Sequence, residues 1–154
     1  MACNPHSHVR PRGGEAFASH PDLRAGFDHL AKAALHPKGT VLFRQGQTPT
    51  GVFLLRHGRA RLSLRSDVGR NLTVRTVGPG YVFGLPSTIL NKPYLFTAEL
   101  LEDSQVAFIP AVDVLEFLRK RSDLCFDVVQ LLGGELMELP PAVHRPATRR
   151  RRPN

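Results

Sequence analysis

The sequence predicts a mainly β protein: a double-stranded β-helix, or jelly roll, with flanking α-helices. Three observations carry this. Glycines recur at Gly39, Gly46, Gly58, Gly78, Gly80 and Gly84, each beside a short apolar or alternating run. Glycine reaches positive φ at little cost, so the cadence marks tight turns between strands. Helical periodicity appears only before and after these runs, and roughly eight short strands between helices suit a double-sheet roll.

The elements follow in order. Residues 1–20 are rich in His, Pro, Gly and Arg and lack apolar periodicity, which predicts a disordered arm. Pro21 suits a helix's first turn, and Leu23, Phe27, Leu30, Ala31 and Ala34 recur at helical spacing until His36-Pro37 ends the helix. Thr40 to Phe43 and Val52 to Leu55 read as short strands. From Arg59 the pattern alternates, with Ala60, Leu62 and Leu64 inward and Arg59, Arg61, Ser63 and Arg65 in water. Asp67 to Arg70 reads as a hairpin turn, after which Leu72 and Val74 share one face and Thr73 and Arg75 the other. Gly78-Pro79-Gly80 turns the chain into the apolar Tyr81-Val82-Phe83, and Leu95 to Leu101 and Gln105 to Ile109 complete the strands. Past Pro110 the period changes to 3.6. Val112, Leu115 and Leu118 form one stripe. Ser122 is placed to cap a second helix carrying Leu124, Val128, Leu131, Leu132, Leu136 and Leu139, which Pro140-Pro141 stops. The domain therefore spans 21–139, followed by a basic tail over 140–154.

Composition narrows the function classes. The formal charge is +8, yet residues 145–154 alone hold five arginines and no acid. The folded part is close to neutral and is no basic nucleic-acid platform; the Arg149–Arg152 run offers weak, non-specific contact. No run reaches a membrane span, and the N-terminus has no secretory apolar stretch, so a cytoplasmic location is expected. Cys3 and Cys125 cannot build a disulfide framework, and His6, His8 and His57 lack companion ligands in sequence. Glu99, Glu102 and Asp103 have no pocket or partner in sequence, and no nucleophile–base pair or phosphate loop appears. The chain reads as a non-enzyme without a cofactor.

The segment KGTVLFRQGQTPTGVFLLRHGRARL resembles the opening of the cyclic-nucleotide-binding domain, as found in bacterial regulators of the catabolite-activator type. VGPGYVFG is similar to the lead into that family's phosphate-binding cassette, and TAELLEDSQVAFIP to its closing strand pair. The resemblance runs from about Leu35 to Leu139. It implies a ligand site over Phe83, Gly84, Leu85, Pro86, Ser87, Thr88, Lys92, Tyr94 and Leu95.

Three telling positions depart from the family pattern. The resemblance implies Glu after the cassette glycine, where Leu85 stands, and Arg then Ser or Thr at the strand entry, where Tyr94 and Leu95 stand. Pro86 supplies no N–H to a phosphate, and Lys92 is the cation left nearby. Three readings stay open: a more apolar small-molecule ligand, a pocket filled by its own side chains, or weak cyclic AMP or cyclic GMP binding through Lys92. The family's regulators continue into a helix-turn-helix, whereas Pro140-Pro141 cuts this helix after Glu138. The expected partners are a second copy through helix 122–138 and an output protein acting in trans. The rival class is a dimeric nucleic-acid interaction protein that binds through its arginine tail.

Overall fold

The computed structural model describes residues 17 and 19–138. The expectations for the terminal tail, Arg149–Arg152, His6, His8, Cys3, Leu139 and most of the N-terminal arm lie outside the described residues. Phe17, assigned by sequence to the arm, is buried, with its ring centroid 5.9 Å from that of Phe27.

In chain order the elements are α1 (Pro21–Leu30), β1 (Lys32–His36), β2 (Val41–Phe43), β3 (Gly51–His57), β4 (Ala60–Arg65), β5 (Asn71–Val77), β6 (Val82–Phe83), α2 (Leu85–Leu90), β7 (Thr97–Leu100), β8 (Ser104–Pro110), α3 (Ala111–Lys120) and α4 (Cys125–Met137). The strands form two antiparallel four-stranded sheets, β1-β8-β3-β6 and β2-β7-β4-β5. This is the expected jelly roll.

The apolar run in β3 is continuous because both of its faces are covered. Val52 and Leu54 join Phe27, Ile109, Val114 and Leu131 in a core beneath the helices. Leu55 joins Phe43, Leu62, Phe83 and Leu100 in a second core between the sheets. Successive side chains of a strand point to opposite faces, so one strand serves both cores.

Five of the six cadence glycines take positive φ, and Gly78 does not. Gly78 precedes Pro79, which favours extended backbone, so Gly80 makes the left-handed turn instead. Gly58 is also needed for space, since a Cβ there would lie 2.0 Å from the Ser104 Oγ.

Four local expectations are corrected. The first helix ends at Leu30, and Ala31 and Ala34 are not on it; Lys32–His36 instead pairs with β8, from Lys32 opposite Phe108 to His36 opposite Ser104. Helix propensity is a weak prior, and the open edge of β8 offers the backbone a full ladder. In β5, Leu62 faces Arg75 while Ser63 faces Thr73, so Val74 is an extra, bulged residue. The bulge shifts the alternation: Leu72 is exposed, and the Arg75 side chain, expected in water, is only 7% exposed. In α3 the buried stripe is Val114 and Leu118, with Val112 in solvent. Ser122 begins a single 3₁₀ turn rather than capping a helix; α4 starts at Cys125, and no side chain caps it.

Among the described residues, no helix is long and apolar enough to cross a membrane.

Candidate ligand cavity

Where β6 ends, Gly84 turns the chain into α2 at φ +80°. A Cβ there would sit 2.8 Å from the Tyr94 Cε1 and 3.3 Å from the Gly51 carbonyl oxygen, so both the dihedral and the space call for glycine. The next residue, Leu85, is buried in the helix-side core. The Ser87 hydroxyl donates to the Pro93 carbonyl at 3.2 Å, folding the loop after α2 back onto the helix. Asn91 ends α2 in the left-handed region.

Tyr94 is the most heavily bonded side chain of the segment. Its hydroxyl donates to the Gly51 carbonyl at 2.9 Å and accepts from the Thr50 and Gly51 N–H groups at 3.0 and 3.2 Å. β6 stops at Phe83, opposite Phe53, so beyond that point β3 stays paired with β8 on one edge but has no strand partner on the edge that β6 occupied. The tyrosine hydroxyl takes the partner's place, with its single donor and both lone pairs engaged. Its ring stacks on Phe43 at 4.1 Å between centroids.

An open space of about 300 Å³ remains beside this plug. Of the predicted site residues, Phe83, Gly84, Leu85, Pro86, Ser87, Tyr94 and Leu95 line it; Thr88 and Lys92 do not. Leu95, with 60% of its surface exposed, sits at the rim. Sequence reasoning missed Phe43, Leu62, Tyr81 and Phe96 on the roll. It also missed the contribution of α4, whose Leu131, Leu132, Glu135 and Leu136 form the remaining wall. The signal for α4 was present: Leu132 and Glu135 lie one turn apart on a helix already read as packing on the roll.

The polar end of the cavity is a cluster that the β5 bulge creates. Arg75 Nη1 donates to Glu135 Oε1 at 2.8 Å, and Nη2 to Glu138 Oε1 at 3.1 Å. The Tyr81 hydroxyl donates to the same Glu135 oxygen at 2.7 Å, and the guanidinium lies 5.5 Å from the Tyr81 ring centroid. Burial, followed by the Glu135 charge, pushes the Tyr81 phenol well above its ordinary pKa, so it stays a donor at neutral pH. Burial also raises Glu135, against the opposing pull of the Tyr81 bond and the Arg75 charge. Lys92, expected as the nearby cation, does not line the cavity, and neither does Arg75, which stands behind the lining residues Tyr81 and Glu135 and is engaged by two carboxylates.

The other singled-out carboxylates are tied up at the surface. Glu99 pairs with Arg61, Glu102 with Arg59, and Asp103 accepts from the Lys38 N–H. Cys125 is a free thiol. Among the described residues, no three His, Cys, Asp or Glu side chains gather as a metal site would require.

A concave, mostly apolar cavity with a few polar groups, roofed by a following helix, has the shape that small-molecule sites commonly take. The model of the cyclic nucleotide-binding domain matches residues 35–121, more than half of the chain, and the chain belongs to that family. It is 27% identical over 104 residues to the cyclic AMP receptor protein of Thermus thermophilus, covering 68% of this chain and 48% of that protein. It is 24% identical over 99 residues to mouse patatin-like phospholipase domain-containing protein 7, covering 64% of this chain and 7% of that one. The chain therefore spans about half or less of the length of these relatives. The crystal structure of the Thermus thermophilus catabolite activator protein superposes with a TM-score of 0.68 at 24% identity, over 77% of this chain and 55% of that one, a likeness of fold.

Proposed function

We propose that this chain is a non-enzymatic sensor or regulatory module whose cavity does not hold a cyclic nucleotide tightly. The observation that carries this is Tyr94. Where the family pattern has a phosphate-pairing arginine, this chain has an aromatic ring whose hydroxyl is fully engaged by its own backbone. A phosphate lodged there would meet Leu85 and Tyr94 in place of Glu and Arg. Charge-assisted bonds of about 1.5–3 kcal/mol each would be missing. The cavity also favours a binding role over catalysis, since its lining carboxylate, Glu135, is already held by Arg75 and Tyr81.

Calorimetry with cyclic AMP and cyclic GMP tests this reading. Millimolar or undetectable binding is expected, and micromolar binding of either would overturn it.

A second copy of the chain is the partner that the surface of α4 supports. Phe126, Val129 and Met137, 67%, 62% and 79% exposed, follow one another along the helix away from the roll, with Gly133 and its open surroundings between them. Such a stripe suits a two-fold helix pairing. Sedimentation at micromolar concentration should give a dimeric mass, and a monomeric mass counts against it.

A further inference from the structure

The cavity itself indicates what could fill it, on the reading above that it has lost the nucleotide. Its volume of about 300 Å³ is roughly twice that of an engineered apolar cavity of about 150 Å³ that takes up benzene. One substituted ring or two fused rings would fit. The walls favour such rings: Phe43, Phe83, Tyr94 and Phe96 present aromatic surfaces, and Leu62 and Leu132 close the sides.

The charges exclude an anion. Arg75 is shared between Glu135 and Glu138, so its guanidinium is already engaged by carboxylates at the polar end. Lys92 is not among the lining residues. Among the described residues, a buried anion here would meet no free cation and would face a carboxylate. A cation is also disfavoured, because Glu135 already has its counter-charge from Arg75 at 2.8 Å. What the cluster offers is an acceptor. The bonds from Arg75 and Tyr81 both end on Oε1 of Glu135, which leaves Oε2 for a donor in the cavity.

We infer that the cavity binds a small, uncharged aromatic molecule of one or two rings that donates a hydrogen bond, such as a phenol or naphthol, with Glu135 as the acceptor. Rings lie between the Phe43–Tyr94 stack and Leu132, and the hydroxyl points to α4.

The test is calorimetry on the full chain with 2-naphthol, naphthalene, 1-naphthylmethylammonium, 2-naphthyl phosphate and cyclic AMP. Binding of 2-naphthol is expected with a Kd on the order of 0.1 mM. Naphthalene and the ammonium should bind about tenfold more weakly, and the phosphate not detectably. Glu135→Leu should bring 2-naphthol down to the naphthalene level. Leu132→Phe should block it; Leu136→Trp, at a more exposed lining position, serves the same purpose if the first variant does not fold. The inference is overturned if the phosphate or the ammonium binds as tightly as 2-naphthol, if a folded cavity-filling variant binds like the parent, or if none of the four aromatic probes binds. Silence from all five would remove the ligand class and leave the diverged-pocket reading standing. Micromolar cyclic AMP with no aromatic binding would remove both.

Discussion

Replacing Tyr94 by Phe deletes one oxygen and leaves the ring stacked on Phe43, so its effect isolates the hydroxyl. Three backbone groups lose a partner: the Gly51 carbonyl, the Gly51 N–H and the Thr50 N–H. Thr50 is exposed and its N–H can turn to water, whereas Gly51 is buried. A buried polar group left unpaired costs about 1–3 kcal/mol, and a typical net bond is worth about 1 kcal/mol. Two buried groups, with partial rescue by water entering from the cavity, give an expected loss of about 2–3 kcal/mol. Urea denaturation measures this as a lower midpoint at unchanged slope. A ribose- or phosphate-facing tyrosine, free to rotate into the pocket, would lose almost nothing. A loss below about 0.5 kcal/mol would therefore refute the assignment of Tyr94 as a structural plug.

Gly84→Ala should cost about 1–3 kcal/mol by the same assay, because the left-handed backbone and the Tyr94 ring 2.8 Å from the new Cβ both oppose it. Combining Leu85→Glu, Tyr94→Arg and Leu95→Ser, which reinstates the family's pattern, should destabilise the fold rather than create cyclic AMP affinity; micromolar calorimetric binding by a folded triple variant would contradict this. Glu135 gives a pH test. Its folded value is raised above its ordinary value of 4.5, so the folded state binds the proton more tightly than the unfolded chain. The stability this confers is fully present below pH 4.5 and is lost as pH rises through the folded value. Glu135→Gln should flatten that fall, read as the difference between parent and variant denaturation midpoints across mildly acidic pH.

The roll was legible because its signals are local. Glycines mark turns wherever they stand, and β4 alternates from Ala60 to Leu64 as a half-wet strand should. Lys32–His36 was not legible, because KAALH has helical spacing and becomes a strand only where β8 presents its edge. The site divided along the same line. The cassette from Phe83 to Ser87 was found because it follows a turn signal. Arg75 was misplaced because a bulge is a property of two strands: nothing in NLTVRTV says that Val74 will be skipped, and that skip alone turns a surface arginine inward. The role of Tyr94 depends on β6 ending at Phe83, two residues short of a partner for Gly51, which no single segment encodes.

These long-range facts bear on why the cavity persists. A pocket that had only lost its phosphate ligands would be free to collapse, with the leucines of α4 settling against Phe43 and Phe83. Here two devices hold it open. Tyr94 ties the floor to the edge of β3 that β6 leaves open, through bonds that need its ring in place. Arg75 and Tyr81 anchor Glu135, and with it α4, at a fixed distance from β5. The first device uses a side chain that the nucleotide-binding pattern does not call for. The substitution at position 94 therefore exchanges a contact to a ligand for a contact to the scaffold. Reversing it alone would remove a structural bond network before it supplied a phosphate partner.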